Sequence, residues 1–258
     1  MATFLFNEII FGPVNSRRLG VSLGVNLLPQ HCKFCNFNCV YCECGWTDNK
    51  QLINNELPDR DLIRAELENR LSNAKKNDEH IDVITFAGNG EPTIHPDFPE
   101  IIDDTIALRN RYLPNARIAV LSNATMLHAS KIKNALEKIE FNILKLDSAK
   151  EETIQLLNKP LKKIHLPALI EQLKSFSNLT IQTLFVKGIV DGIPVDNSSE
   201  EELESWIALL KHLQPKLIMI YTIARDTPLD TLEAIPVEKL HKIADRLKKE
   251  NFDVSVSG

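Results

Sequence analysis

No cysteine follows Cys44, although the chain runs to 258 residues. That absence excludes a disulfide framework, a paired zinc knuckle or a second iron–sulfur cluster built from the later sequence. Also missing is any apolar run of the ~20 residues that a membrane-spanning helix needs, so no membrane partner is expected. The opening Met1-Ala-Thr-Phe-Leu-Phe-Asn-Glu8 has no basic n-region, apolar core and cleavage site, which points to a cytoplasmic chain with reduced thiols. Strong charge of one sign is lacking too. The net value is −5 and the isoelectric point about 5.8, so nothing global advertises a polyanionic partner, and only a local patch at Lys159, Lys162 and Lys163 stays open. What remains, 43% hydrophobic and 25% charged without a low-complexity tract, is the composition of a globular protein and suits one domain over 1–258.

The five cysteines that are present crowd together at positions 32, 35, 39, 42 and 44. Cys35-Asn-Phe-Asn-Cys39-Val-Tyr-Cys42 puts three thiolates on one short loop, enough to hold three irons of a 4Fe-4S cube and leave the fourth open to a ligand. Zinc is the competing metal, since Cys32/Cys35 and Cys39/Cys42 are two Cys-x-x-Cys pairs. Such pairs are normally separated by roughly 12 to 20 residues, and here only three intervene. The ferredoxin run Cys-x2-Cys-x2-Cys-x3-Cys also fails, because the longer gap here precedes a two-residue one. Cys32 and Cys44 read as thiols near the loop, with an extra-ligand or redox role as the alternative, and His31 reads as a loop residue.

Along the rest of the chain, short apolar runs alternate with amphipathic stretches, the pattern of parallel strands joined by crossover helices. Strands are expected at Val21 to Leu27, Ile81 to Ala87, Arg117 to Leu121, Phe141 to Leu146, Leu179 to Val186 and Leu217 to Ile223, with a short one at Asp253 to Ser257. Pro58 opens a helix with Ile63, Leu67, Leu71 and Ala74 on one face, and Pro236 opens the last, carrying Leu240, Ile243, Ala244 and Leu247. Between them, helices are expected at Ile101 to Arg111 after a Pro96–Pro99 turn, around Lys131 to Lys138, Glu151 to Leu157 and Pro167 to Phe176. Another follows a Ser198-x-x-Glu201 capping box, with Leu203, Trp206, Ile207 and Leu210 inward. Six β/α units are too few to close an eight-stranded barrel, so the fold class is α/β, a partial (β/α)6 TIM-type barrel with the cysteine loop after the first strand. Residues 1–19 form a lead-in. The unusual motifs then gather at the C-terminal strand ends: the cysteine loop, Gly88-Asn-Gly-Glu-Pro-Thr93, Ser122-Asn-Ala-Thr125, Asp147-Ser148, Lys187-Gly-Ile-Val-Asp191 and Thr222-Ile-Ala-Arg-Asp226.

With Cys-x3-Cys-x2-Cys, an aromatic just before the last cysteine, and Gly-Asn-Gly-Glu-Pro after the second strand, the chain resembles the radical SAM superfamily. Phe11-Gly-Pro-Val-Asn-Ser-Arg-Arg-Leu-Gly20, Gly90-Glu-Pro-Thr-Ile-His-Pro96, Lys145-Leu-Asp147, Gln182-Thr-Leu-Phe-Val-Lys-Gly188 and Ile220-Tyr-Thr-Ile223 look like its wyosine-synthetase-like group. The resemblance implies that Cys35, Cys39 and Cys42 ligate one 4Fe-4S cluster and that S-adenosylmethionine chelates the open iron. One electron from a donor such as flavodoxin or ferredoxin would then cleave the sulfonium. A 5′-deoxyadenosyl radical would abstract hydrogen from a substrate, which is a small molecule, a peptide or an RNA base. One cluster is expected, without a C-terminal auxiliary-cluster domain.

In that setting Gly88 and Gly90 let backbone approach the cofactor and Glu91 accepts from its ammonium, with a tight turn as the plain alternative. Tyr41 packs by the adenine or simply packs the loop. Ser122, Asn123 and Asp147 meet the ribose hydroxyls and methionyl carboxylate. Lys145, between Leu144 and Leu146, points into the barrel and pairs with that carboxylate, or else snorkels at an edge. Gln182 has the same status beside a core hydrogen bond, and backbone near Ile223 and Ala224 touches adenine. Arg17 and Arg18 bind an anionic substrate group or the cofactor carboxylate, or pair at the surface, and His95 is a rim candidate or a turn residue. Two narrower readings, an activase for a glycyl-radical enzyme and a tRNA-base-modifying enzyme, stay open, the latter weakened by acidity and short length. A non-enzymatic iron–sulfur or zinc sensing module is the remaining class.

Overall fold

The computed structural model describes residues 4–48 and 56–257, which carry ten strands in one sheet. In chain order these are β1 (Ile10–Ser16), β2 (Gly20–Val25), β3 (Val83–Phe86), β4 (Arg117–Ser122), β5 (Phe141–Lys145), β6 (Thr180–Val190), β7 (Ile193–Asp196), β8 (Leu217–Thr222), β9 (Leu232–Ala234) and β10 (Val254–Ser257). Seven α-helices accompany them among the described residues: α1 (Arg60–Lys76), α2 (Phe98–Tyr112), α3 (Ser130–Glu137), α4 (Glu151–Asn158), α5 (Leu166–Lys174), α6 (Glu200–Leu213) and α7 (Val237–Lys249). The sheet runs β1-β2-β3-β4-β5-β6-β8-β10 and is parallel from β2 onward, a curled half-barrel of the α/β class.

Strict alternation along the strands explains why the sheet has helices on one face and a site on the other. Ile84, Phe86, Ile118, Val120, Leu144, Ile181, Ile218 and Ile220 join the main core with the helices' apolar residues. Their neighbours Val83, Ala119, Ile143 and Met219 form a separate small core with Leu19 on the inner face. α1 follows its expected face, burying Ile63, Leu67, Leu71 and Ala74, with Asp59 accepting from the Asp61 N–H as its cap and Lys75 and Lys76 in the last turn. Trp206 of α6 is 1% exposed, donates to the Leu146 carbonyl at 3.2 Å, and meets the Phe185 ring edge-on at 5.2 Å. Trp206→Ala is expected to lower unfolding free energy by about 3–5 kcal/mol in urea denaturation, with an undiminished midpoint counting against this packing.

Four expectations are corrected. The lead-in over 1–19 contains a strand: β1 pairs antiparallel with β2, and Gly12-Pro13 sits at a register shift between Phe11 and Val14, where a missing N–H breaks no ladder bond. The capping box at Ser198 is not formed, because Asp196 Oδ1 captures both the Ser198 N–H (2.8 Å) and hydroxyl (2.5 Å), and Ser199 becomes the cap residue without a side-chain bond. Lys187-Gly-Ile-Val-Asp191 is not a loop after the fifth strand. Lys187 to Val190 continue β6, held antiparallel by β7 on one side, while β9 pairs with Val186 to Gly188 on the other. Of the Pro96–Pro99 turn, Phe98 and Pro99 belong to the first turn of α2, where proline's missing N–H is harmless.

Candidate metal and cofactor site

The cysteine loop leaves β2 through Asn26, which is buried and ties two strand ends together. Its Oδ1 accepts from Leu28 N (3.3 Å) and Asn89 N (3.2 Å), and its Nδ2 donates to the Leu28 carbonyl at 3.0 Å. Backbone then pins the loop on both flanks. Towards β3, Phe34 N donates to Asn89 O (2.7 Å) and Glu91 N to Phe34 O (3.1 Å). Towards the end of α4, Val40 N donates to Leu157 O (2.9 Å), Asn38 N to Asn158 O (2.9 Å) and Leu161 N to Asn36 O (2.9 Å). A loop satisfied in this way holds its side chains in place without a helix or strand of its own.

Cys35, Cys39, Cys42 and Cys44 all line one cavity of about 290 Å³, together with Lys33, Tyr41, Gly88, Gly90, Glu91, Ser122, Asn123, Lys145 and Gln182. The inner-face residues of β5 and β6 thus meet the loops that follow β2, β3 and β4. Several sequence candidates lie outside this lining, the exposed Arg17 and Ala224 among them. Asp147 stands behind the wall, Ile223 packs beside it against the apolar cluster around Tyr41 and Val40, and His95 is buried with its Nε2 2.9 Å from the Pro58 carbonyl oxygen. Cys32 is buried outside the cavity lining. A larger cavity, about 480 Å³, lies beyond Asn36 and Phe37 and is lined by no cysteine.

Donors surround the thiols. Phe37 N (3.4 Å) and Asn123 Nδ2 (3.8 Å) point at Cys35 Sγ, and Asn158 Nδ2 points at Cys39 Sγ (3.5 Å). Burial pushes the Cys35 and Cys39 thiols up, opposed by Lys33 and Lys145 respectively. A hydrogen bond from Cys44 pulls Cys42 down against its burial, with Lys33 adding to the effect. Burial lowers Lys33 in turn, but the charge of the Cys42, Cys35 and Cys39 thiolates outweighs it, and Lys33 Nζ also donates to Gly45 O at 2.9 Å. Glu91, 2% exposed, accepts from Asn123 N (2.6 Å), Thr93 Oγ1 (2.5 Å), Ser122 Oγ (2.8 Å) and Thr93 N (3.1 Å), yet burial still raises its carboxyl above the ordinary range.

Behind the wall, Asp147 accepts from Leu184 N (3.0 Å), Asn158 Nδ2 (2.8 Å), Lys145 Nζ (3.4 Å) and the Tyr41 hydroxyl. Its side chain is fully buried and Lys145 is 12% exposed. Burial would lower Lys145, but the charge of Asp147 raises it overall, and burial with Asp147 pushes Tyr41 well above its usual value. Asp147→Asn keeps the shape and removes the charge, so an uncompensated buried ammonium is left. We expect a loss of about 3–5 kcal/mol in denaturant unfolding, partly recovered by adding Lys145→Met. No recovery in the double variant would show that the pair is not the source of the loss.

Lys33 and Asn158 were missed in the sequence. A lysine inside Cys32-Lys-Phe-Cys35 is a usable signal for thiolate stabilisation. Nothing local marks Asn158, which acts because α4 ends where the loop passes.

Residues 30–209 match the profile of the Radical SAM superfamily. The chain belongs to that superfamily. Its members use a 4Fe-4S cluster and S-adenosylmethionine. A UPF0026 protein of Methanocaldococcus jannaschii is 31% identical over 91% of this chain and 70% of its own length. A protein of Brachyspira hyodysenteriae named GTPase Obg is 29% identical over 90% of this chain. The chain spans only about a third (32%) of that relative, so the activity in its name is not carried over. Among solved structures, Streptococcus suis SuiB bound to S-adenosylmethionine superposes with a TM-score of 0.64 at 15% identity, covering 91% of this chain and 50% of SuiB, a likeness of fold. No helix among the described residues is long and apolar enough to cross a membrane.

Proposed function

We propose that Cys35, Cys39 and Cys42 hold one 4Fe-4S cluster, that the cavity beside it takes S-adenosylmethionine, and that the chain over 1–258 is a single radical SAM core. One observation carries the reading: four thiols from one pinned loop, Cys35, Cys39 and Cys42 among them, share a cavity with a buried glutamate. The donor set fits the cluster better than zinc. The thiols line one common space beside the loop, and N–H donors reach two of them. When bound, the cluster and a one-electron donor of flavodoxin or ferredoxin type supply reductive cleavage of the sulfonium for hydrogen abstraction.

The chain's own residues do the positioning. Lys33 offsets the negative charge of the thiolates, and Asn158 and Asn123 donate to two of the sulfurs. Glu91 is set to accept from the methionyl ammonium, and Gly88 and Gly90 keep the second loop's backbone close. Lys145, Gln182, Ser122 and Asn123 present polar groups for the remaining cofactor atoms, and Tyr41, anchored through Asp147, holds the last cysteine turn. The test is anaerobic reconstitution with iron and sulfide, then EPR of the reduced protein with and without S-adenosylmethionine, with 5′-deoxyadenosine followed by chromatography. A spectrum changed by S-adenosylmethionine plus deoxyadenosine is expected. Stoichiometric zinc, or a cluster indifferent to S-adenosylmethionine, would return the sensing module to first place.

A further inference from the structure

Arg18 reaches the cavity from an unexpected direction. It stands in the turn between β1 and β2, at the opposite end of β2 from the cysteine loop, and Ser16 Oγ shapes that turn by accepting from Arg18 N (3.3 Å) and Leu19 N (3.2 Å). Leu19 packs into the inner core while Arg18 extends to the cavity wall. There its Nη1 donates to Gln182 Oε1 at 3.1 Å and its Cζ lies 4.5 Å from the Tyr221 ring centroid. A neutral amide and an aromatic face fix the plane of the guanidinium and use one N–H donor.

Most other charges around the cavity have a partner or an assigned role. Asp147 faces Lys145, Arg225 faces Glu43 at 2.6 Å, Lys33 shares the cavity with the cysteines, and Glu91, held by four donors, is assigned to the cofactor ammonium. No carboxylate of a described residue stands within 4.0 Å of the Arg18 guanidinium, which is half-buried. Gln182 and Tyr221 belong to β6 and β8, whereas Glu91, Ser122 and Asn123 follow or end β3 and β4, so Arg18 sits across the sheet from Glu91, Ser122 and Asn123, with Gln182 and Lys145 between the two sides.

We propose that Arg18 is the recognition residue for an anionic group of the substrate, a carboxylate or a phosphate, whose paired oxygens match the free edge of the guanidinium. This rests on the reading that the cavity holds the cluster and S-adenosylmethionine. Gln182 and Tyr221 are then positioning residues for Arg18, and the substrate lies along β6 and β8.

The test is resolved by site. Reconstituted protein with S-adenosylmethionine bound is treated with glyoxal, which modifies reachable guanidinium groups. Adducts are followed by peptide mass spectrometry in inorganic phosphate, acetate or chloride at equal ionic strength. Phosphate or acetate is expected to slow modification of Arg18 by roughly fivefold against chloride, while the exposed Arg17 and Arg64 keep their rates. The protecting anion distinguishes phosphate from carboxylate. Equal rates in all three salts overturn the proposal, as does an Arg18 that glyoxal never reaches. The variant R18Q is expected to bind S-adenosylmethionine within about threefold of wild type by EPR titration, and a loss of about tenfold would assign the guanidinium to the cofactor instead. Absence of a cluster sinks the functional reading alone, since the glyoxal comparison can be run on the purified chain.

Discussion

Cys39→Ala, reconstituted with iron and sulfide under anaerobic conditions, is expected to keep less than about a tenth of the wild-type iron and to lose the visible sulfur-to-iron absorbance. The reason is a count of ligands. On the proposed assignment one iron is left for S-adenosylmethionine and three thiolates are the whole protein share, so losing one would leave two irons of the cube without a cysteine. Cys39 is also the sulfur that Asn158 Nδ2 reaches at 3.5 Å, so its removal frees the loop from the amide that stays bonded to Tyr41 and Asp147. Cys32→Ala and Cys44→Ala are the controls. Cys32 lies outside the cavity lining. Cys44 lies within it but bonds Cys42 and the Gly88 carbonyl oxygen (3.5 Å). Iron assays on all three variants decide the matter, and loss of cluster in Cys44→Ala with retention in Cys39→Ala would reverse the assignment.

What the sequence disclosed and what it hid follow from the range of the interactions. Helix faces, inner-strand alternation and the cysteine spacing are local patterns, so the face of α1, the inward Lys145 and the loop after β2 were all legible. β1 was hidden because Gly12-Pro13 breaks the strand pattern, and the long β6 because Gly188 and Asp191 read as loop. The supports of the site are the longest-range features of all. Arg18 meets Gln182 across 164 positions and Asn158 meets Cys39 across 119, contacts that exist only once the sheet has curled. Asp147 shows the same limit in reverse. Its place after β5 suggested contact with cofactor hydroxyls, and folding instead surrounds it with Lys145, Tyr41, Asn158 and the Leu184 N–H.

Gly90→Ala is expected to destabilise the chain by about 3 kcal/mol or more and to unseat the cysteine loop. Gly90 has φ +147, and a Cβ there would lie 1.9 Å from the Phe34 carbonyl oxygen and 2.5 Å from its carbon, both backbone atoms that cannot swing aside. That carbonyl accepts from Glu91 N at 3.1 Å, and Phe34 pairs with Gly90 in a parallel bridge. Relieving the clash therefore separates the cysteine loop from the strand end that carries Glu91. Gly192→Ala supplies the reference. Its φ is +80 in the turn between β6 and β7, and nothing stands within 4 Å of the added methyl, so only the backbone penalty of about 1–2 kcal/mol is expected there. Urea unfolding by far-UV circular dichroism gives the two free energies, and the rate of cluster loss in air gives a second readout confined to the loop. Faster loss in Gly90→Ala with wild-type loss in Gly192→Ala locates the damage at the Phe34–Gly90 contact. Equal destabilisation in the two variants would mean that this contact does not hold the loop in solution.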